Sequence, residues 1–220
     1  MKRNNFLLLC IVCVFSISCQ NKTFDLATIK LGDNAEKYNF GNNVIFEKTE
    51  RCSGNAVAYI SNEWIVFTFE EIPIDSTLNA WITVIDNKIA DLDIYASGEY
   101  TLDFAKKLLA DLGTPTAVFT DKTWIKQEIG QPIFAKFHSI LPDNTKFTKG
   151  EYHMDYDFEY PYLLFWDKND VYYIFSMTVD SNGEMRNRYH PVTKEGYKTG
   201  KVPFYPYPLP ENSPLFGYMK

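Results

Sequence analysis

The sequence predicts an α+β fold in which a mainly antiparallel β-sheet carries one clear amphipathic helix. Short β-branched and aromatic runs, separated by polar turns, recur along the chain, and such runs are typical of strands. Residues 101–112 instead repeat their apolar side chains at helical spacing. The order is strands, helix, then more strands, without the regular strand–helix alternation of parallel sheets.

The composition is that of a folded, net acidic protein. The 220 residues are 45% apolar and 16% aromatic, which is enough to bury a core without disulfide bonds. They carry 22 basic and 28 acidic side chains, a formal net charge of −6. Because phosphate contacts need a basic stripe, this balance argues against nucleic acid as a partner.

Residues 1–18 are predicted to be a lipoprotein signal peptide. Lys2 and Arg3 precede the almost continuously apolar residues 6–17. That run is too short to span a bilayer as a helix, which needs about 20 residues. It ends in Ser16-Ile17-Ser18-Cys19, which resembles the lipobox of bacterial lipoproteins. Ser16 stands where the motif usually has Leu, Val or Ile, a relaxation familiar among Bacteroidetes-type lipoproteins.

The resemblance implies that Cys19 becomes the lipid-modified N-terminus of an exported protein, with residues 19–24 as a tether. Acyl chains would attach the protein to the membrane without a basic patch. Gln20 is similar to residues that permit passage to the outer membrane. The alternative is a plain secretory signal that leaves Cys19 as a free thiol. Cys52 would be the other cysteine of the mature chain, and we interpret it as a small packed residue rather than a nucleophile.

The segment before the helix is predicted to be mostly strands. A short helix is expected first at residues 34–40, with Asp33 as its N-cap. Ser61-Asn62 would turn the second strand onto the third, and Asp86-Asn87-Lys88 would join the last two strands as a hairpin. The predicted strands are residues 44–46, 56–60, 64–69, 80–85 and 89–95.

The helix itself is predicted from its ends as well as from its apolar stripe. Thr101 is suited to cap it, and Asp103 in the first turn favours the helix dipole. Gly113 and Pro115 end it. The stripe must cover a sheet, and it consists of Leu102, Ala105, Leu108, Leu109 and Leu112.

The rest of a single domain, residues 25–190, is predicted to be strands and one long loop. The loop is residues 130–144, because Pro132 and Pro142 lie within it. Six of the 11 prolines fall after His190, so residues 191–220 are predicted to be an irregular, extended strap whose Tyr and Phe side chains pack on the domain. The strands are residues 116–120, 124–129, 152–160, 163–166 and 171–179.

One segment also carries a local resemblance. Residues 89–119 read as a strand, a helix ending in Leu112-Gly113-Thr114-Pro115, and another strand. This unit is similar to units of small envelope lipoproteins and β-lactamase-inhibitor-like domains. The resemblance covers a small part of the chain and implies a binding module that acts through protein contacts. A likeness of fold does not by itself fix function.

One strand could supply ligands to a divalent cation. His153, Asp155 and Asp157 alternate along residues 151–160 and would share one face of a strand, where imidazole and carboxylate groups suit a metal ion. Alternate residues are about 6.5–7 Å apart, so only two neighbours can share one ion. His138 and His190 are the other histidines. We favour a solvated acidic face over a metal site.

The sequence carries no motif that predicts catalysis or a cofactor. It lacks a nucleophile elbow, a P-loop, a Rossmann glycine run and a zinc-protease motif. The leading hypothesis is therefore a lipid-anchored, non-enzymatic envelope protein that binds another protein, as an assembly partner or an inhibitor. An acidic, aromatic-bearing surface suits a basic partner.

The alternative hypothesis is a surface lipoprotein that binds or processes glycans. This hypothesis is based on the four tryptophans, which could stack on sugar rings, and on paired acids that could hydrolyse glycosides. Trp64, Trp81 and Trp166 lie in apolar strand runs, so we expect them in the core. Trp124 completes the set.

Overall fold

The computed structural model describes residues 23–40, 45–49, 54–62, 64–123, 127–149 and 158–220. Its strands are β1 (Thr23–Asp25), β2 (Phe46–Thr49), β3 (Ala56–Ser61), β4 (Val66–Phe69), β5 (Ile72–Pro73), β6 (Trp81–Ile85), β7 (Lys88–Asp93), β8 (Ala117–Thr123), β9 (Phe147–Lys149), β10 (Phe158–Lys168), β11 (Val171–Val179), β12 (Met185–Tyr189) and β13 (Val192–Thr193). Its α-helices are α1 (Thr101–Leu112), α2 (Gln127–Ser139) and α3 (Lys194–Lys198). The predicted α+β class is confirmed.

Ten of these strands form one large sheet. Its order is β2-β3-β6-β7-β13-β11-β10-β8-β9, and β12 pairs with β11 beside this path. The neighbours are antiparallel except β8 and β9. A smaller sheet has the order β1-β4-β5, and in it β1 runs parallel to β4, with Thr23 opposite Val66.

A broken strand lies near the middle of the large sheet. β12 and β13 pair with successive parts of β11, and the break between them falls at His190 and Pro191. Pro191 has no backbone N–H to donate to a ladder. Its carbonyl still accepts a hydrogen bond from the N–H of Leu92, 3.2 Å away. At the break, the N–H of His190 still donates to the carbonyl of Ile174 in β11 at 2.8 Å, and the His190 side chain lies beside Asp91 of β7.

Both faces of the large sheet are covered. In β10, Leu164 and Trp166 belong to the core that includes α1 and α2, whereas Leu163 and Phe165 belong to a second core with the C-terminal segment. All four side chains are buried. This alternation is what a strand with two buried faces requires.

The C-terminal segment covers the second face of the large sheet, so its predicted packing on the domain is confirmed. The expectation that its Tyr and Phe side chains make this contact is only partly right, because Phe204, Tyr207 and Phe216 are exposed. Residues 199–220 contain no helix or strand. The hydroxyl of Tyr172 accepts from the N–H of Lys220 and donates to its carbonyl, both at 3.0 Å. The predicted strap begins later than residue 191, because β13 and α3 occupy its first residues. The strap's buried apolar side chains are Val202, Leu209, Leu215 and Met219.

Two predictions around residue 130 are wrong. Residues 127–129 are not a strand and residues 130–139 are not a loop, since α2 spans both. Pro132 lies inside this helix, and proline is unfavourable there. The burial of Phe134 and Phe137 against the large sheet outweighs that cost.

Two predictions in the first half of the chain also need correction. Residues 34–40 do not form an α-helix: Ala35–Tyr38 is one 3-10 turn, capped by Asn34 rather than Asp33. The second and third predicted strands do not pair, because β3 pairs with β2 and β6, whereas β4 lies in the smaller sheet. Ser61-Asn62 therefore leads the chain from one sheet to the other.

The predicted hairpin turn before α1 and the predicted C-terminal end of α1 are confirmed, whereas its predicted N-cap is wrong. Asp86 and Asn87 both have positive φ, as a two-residue type I′ hairpin turn requires. Gly113 ends α1, with a φ of 72° and its N–H donating to the carbonyl of Leu109. Thr101 is not the cap, since its hydroxyl donates to the carbonyl of Gly98 at 2.8 Å. Within the described residues, no helix is long and apolar enough to cross a bilayer.

Candidate binding face and a buried polar cluster

Most of the site residues singled out in the sequence lie outside the described residues. This applies to Cys19 and to the candidate metal ligands His153, Asp155 and Asp157, so lipidation stays a prediction, and so does the solvated acidic face that we favour over a metal site. Within the described part of the chain, no group of three or more His, Cys, Asp or Glu side chains is arranged to hold a metal ion.

The tryptophans occupy different environments. Trp166 is buried, and its indole N–H donates to the carbonyl of Gly113 at 2.8 Å. Trp81 is half-buried, and Trp124 lies outside the described residues. Trp64 is 79% exposed, so the expectation that it packs in the core is wrong. The reason is that β4 begins two residues later, at Val66.

A hydrogen-bonded turn displays Trp64. The side-chain oxygen of Asn62 accepts from the backbone N–H of Trp64 at 3.0 Å, and the N–H of Asn62 donates to the carbonyl of Ile45 at 2.8 Å. The side-chain amide of Asn62 also donates to Glu47 at 3.2 Å. The turn therefore holds a large apolar ring in solvent, where the ring adds little buried apolar area to the fold.

Trp64 lies beside two further exposed apolar side chains. Val66 and Leu78 are 43% and 42% exposed, and with Trp64 they line a cleft of about 400 Å³. We name these three residues the Trp64 patch. The loop that carries Leu78 is fixed by Asp75, whose carboxylate accepts from the N–H and the hydroxyl of Thr77 at 2.8 and 2.6 Å. Hydrogen bonds therefore fix the turn and the loop that carry the patch.

A larger cleft of about 650 Å³ adjoins the Trp64 patch. The two clefts share Asp75 and Leu78 in their linings, so they form one continuous surface. The larger cleft is also lined by Tyr95, Glu99, Glu184 and Arg186. We name it the acidic cleft.

The floor of the acidic cleft is held rigidly. The buried side chain of Asn187 accepts from the N–H of Ala96 and donates to its carbonyl, both at 2.9 Å. It also donates to the hydroxyl of Thr101 at 2.7 Å. Gly98 lies so close to β12 that a Cβ atom there would collide with the carbonyl oxygen of Met185. These contacts lock the walls of the cleft together.

The charge of the acidic cleft is negative. Asp75, Glu99 and Glu184 line it against a single guanidinium, that of Arg186. None of the three carboxylates makes an ion pair with another residue in the described part of the chain. With three carboxylates against one guanidinium, the cleft presents a net negative charge, which favours a cationic group.

A second group of polar side chains is buried at the break between β12 and β13. Asp93 receives two hydrogen bonds from Arg188, at 2.7 and 2.8 Å. The His190 Nε2 lies 2.9 Å from Asp91 Oδ2, and its Nδ1 lies 3.3 Å from the Arg188 guanidinium. Because arginine can only donate, Nδ1 accepts and the Nε2 proton points to Asp91. We name these four residues the buried polar cluster.

The C-terminal strap covers the buried polar cluster. The Arg188 guanidinium lies 4.1 Å from the ring centre of Phe204, and the ring of Tyr205 packs edge-on against His190. Burial lowers the pKa of Arg188, but the hydrogen bonds and charge of Asp93 outweigh it and raise that pKa. Burial raises the pKa of Tyr205. Since Asp91, Asp93 and His190 are almost wholly buried, the cluster is closed to a substrate and serves to join the strap to the sheet.

Comparisons of the chain with protein-family models, with curated protein sequences and with solved structures found no match. The functional interpretation therefore depends on the geometry of the described residues. In this part of the chain Trp64 is the one tryptophan that is mainly exposed, so the described residues contain no pair of exposed tryptophans for a sugar platform. We take the protein-binding hypothesis forward.

Proposed function

We propose that this chain is a lipid-anchored envelope protein that binds a basic protein partner in the acidic cleft. The observation that carries the proposal is a preformed cleft lined by Asp75, Glu99 and Glu184, three carboxylates that form no ion pair within the described part of the chain. A rigid floor lowers the ordering cost of association. Complementary charge accelerates encounter and selects the partner. Neither the rigid floor nor the complementary charge requires a catalytic group.

Reversal of charge in the acidic cleft tests the proposal. A tagged chain from Gln20 onward, carrying Glu99→Lys and Glu184→Lys, should retain at least ten-fold less partner from detergent-solubilised envelope than the wild type. Both side chains are exposed, so folding should be unaffected. A ten-fold loss corresponds to about 1.4 kcal/mol. The measurement is quantitative mass spectrometry of the retained proteins, followed by titration of the purified pair.

A matched variant separates a local effect from the change in net charge. Asp143→Lys with Glu211→Lys alters the net charge equally, and these two exposed residues line neither cleft. This control should retain the partner as well as the wild type does. Equal losses in both variants, or no retained protein from a folded bait, would overturn the proposal, and a glycan array would then test the alternative.

The anchor is tested separately at Cys19. Cells that express the full chain and are fed an alkyne analogue of palmitate should label it, and the label should disappear in Cys19→Ala. The wild type should sediment with membranes and the variant should not, because acyl chains supply the attachment. A wild-type chain that carries no label while sedimenting with membranes would contradict the lipoprotein assignment.

A further inference from the structure

The position of β1 links the predicted anchor to the Trp64 patch. Thr23 opens β1 and lies opposite Val66 in the parallel pair of β1 and β4. In a parallel pair both strands start at the same end, so Thr23 and Val66, the first residues of β1 and β4, lie at the same end of the small sheet. Trp64 is therefore displayed at the end of the sheet where the N-terminal tether enters.

The tether is short. Four residues, from Cys19 to the one before Thr23, precede the start of β1. Even fully extended, they reach about 14 Å. If Cys19 carries lipid, as the proposed function has it, the bilayer surface lies within that distance of Thr23, and Thr23 is the direct neighbour of Val66. The tether thus keeps the Trp64 patch close to the membrane.

We infer that the Trp64 patch docks on the bilayer to which Cys19 is anchored, with Trp64 in the interfacial region; this inference rests on the lipid anchor of the proposed function. Tryptophan is enriched at membrane–water interfaces, where its ring is apolar and its N–H stays hydrated. Val66 and Leu78 add apolar area beside it. A short tether raises the local concentration to the millimolar range, so weak affinity suffices.

The charges beside the patch determine the lipid that it fits. Asp75 lines the cleft that Trp64, Val66 and Leu78 share, and the acidic cleft adjoins it. An anionic bilayer would repel these carboxylates. The docking therefore depends on apolar contact and favours a zwitterionic surface. In this orientation the acidic cleft opens beside the membrane, where it would meet a basic segment of a partner in the same envelope.

Quenching by brominated lipid tests the inference. The chain from Cys19 to Lys220, with Cys52→Ser, is coupled through the Cys19 thiol to a maleimide lipid in phosphatidylcholine vesicles whose acyl chains carry bromine. Part of the tryptophan emission should be quenched, and that part should vanish in Trp64→Phe but persist in Trp81→Phe. An anionic phosphatidylglycerol fraction should weaken the quenching.

Two controls make the outcome decisive. Coupling through Lys220→Cys, with Cys19→Ser, should abolish the quenching, because Lys220 lies against Tyr172 on the second face of the large sheet and not at the end of the small sheet that carries Trp64. Inserting thirty Gly and Ser residues after Gln20 should lower the docked fraction several-fold, as effective concentration falls with linker length. Quenching that survives Trp64→Phe, or its absence in the Cys19-coupled chain, overturns the docking and leaves the patch free for a protein. The charge-reversal result would stand in either case.

Discussion

Deletion of residues 201–220 is expected to prevent the protein from holding its native fold. The deletion removes four buried side chains, Val202, Leu209, Leu215 and Met219, from the second face of the large sheet. At about 1.5–3 kcal/mol for each buried apolar side chain, the loss is about 6–12 kcal/mol. That is as large as the free energy of unfolding of a typical domain, about 5–15 kcal/mol.

The measurement is urea unfolding followed by circular dichroism. The full chain should unfold cooperatively, whereas the truncated chain should lack a cooperative transition and bind a dye specific for exposed apolar surface. Two point variants calibrate the effect. Leu215→Ala should cost about 2–5 kcal/mol, and Phe216→Ala, at an exposed neighbouring position, should cost less than about 0.5 kcal/mol. A truncated chain within 2 kcal/mol of the full chain in an unfolding titration, about the effect of one buried side chain, would contradict the assignment of the strap to the core.

The fold class could be predicted because its signals are local. The hairpin at Asp86-Asn87 and the end of α1 at Gly113 are each determined by a few adjacent residues. Such features need no knowledge of distant contacts, and the structure confirms them. The packing of the strap on the domain was also predicted, but its buried side chains are aliphatic, whereas Phe204, Tyr207 and Phe216, which were expected to pack there, are exposed.

Helix α2 was missed because one strong local signal concealed a weaker periodic one. Pro132 favours a loop, yet Ile129, Ile133, Phe134 and Phe137 follow helical spacing and pack against the large sheet. The periodicity was available in the sequence. Its weight depends on the presence of an apolar surface to cover, and that surface is formed by strands distant in the chain.

The candidate binding face could not be predicted from spacing. Trp64, Asp75, Glu99 and Glu184 come from four separate parts of the chain and meet through the packing of β12 against the turn at Gly98. The exposure of Trp64 depends on where β4 begins, a boundary that an apolar run does not mark. The surface is therefore a product of tertiary structure, and its residues carry no motif.

The buried polar cluster had a partial signal in the sequence. Asp91 and Asp93 alternate on β7, as Arg188 and His190 do around the end of β12, and alternate residues share one face of a strand. Two like charges on a buried face require a partner of opposite charge. The pairing itself depends on the register of β7 with the broken strand, about one hundred residues later in the chain.

Arg188→Ala is expected to destabilise the protein by about 3–5 kcal/mol, the second largest effect that the structure predicts. Arg188 gives two hydrogen bonds to Asp93, whose side chain is almost wholly buried. Removing the guanidinium leaves that carboxylate without its counter-charge and also removes the contact with Phe204. Urea unfolding measures the loss, with Arg186→Ala, at an exposed position on the same strand, as the matched control.

A double variant distinguishes two causes of the loss in Arg188→Ala. One is the carboxylate of Asp93 left buried without its counter-charge, and the other is the lost contact between Arg188 and the strap. If the loss in Arg188→Ala comes from the stranded charge, replacing Asp93 and Arg188 together by leucine should restore most of the stability, since buried ion pairs are often no better than apolar side chains of similar volume. If the loss comes mainly from the strap, the double variant should remain destabilised and the strap should exchange its amide protons faster than it does in the wild type. A single variant within about 1 kcal/mol of the wild type, which is the usual worth of an exposed ion pair, would show that solvent already screens Asp93.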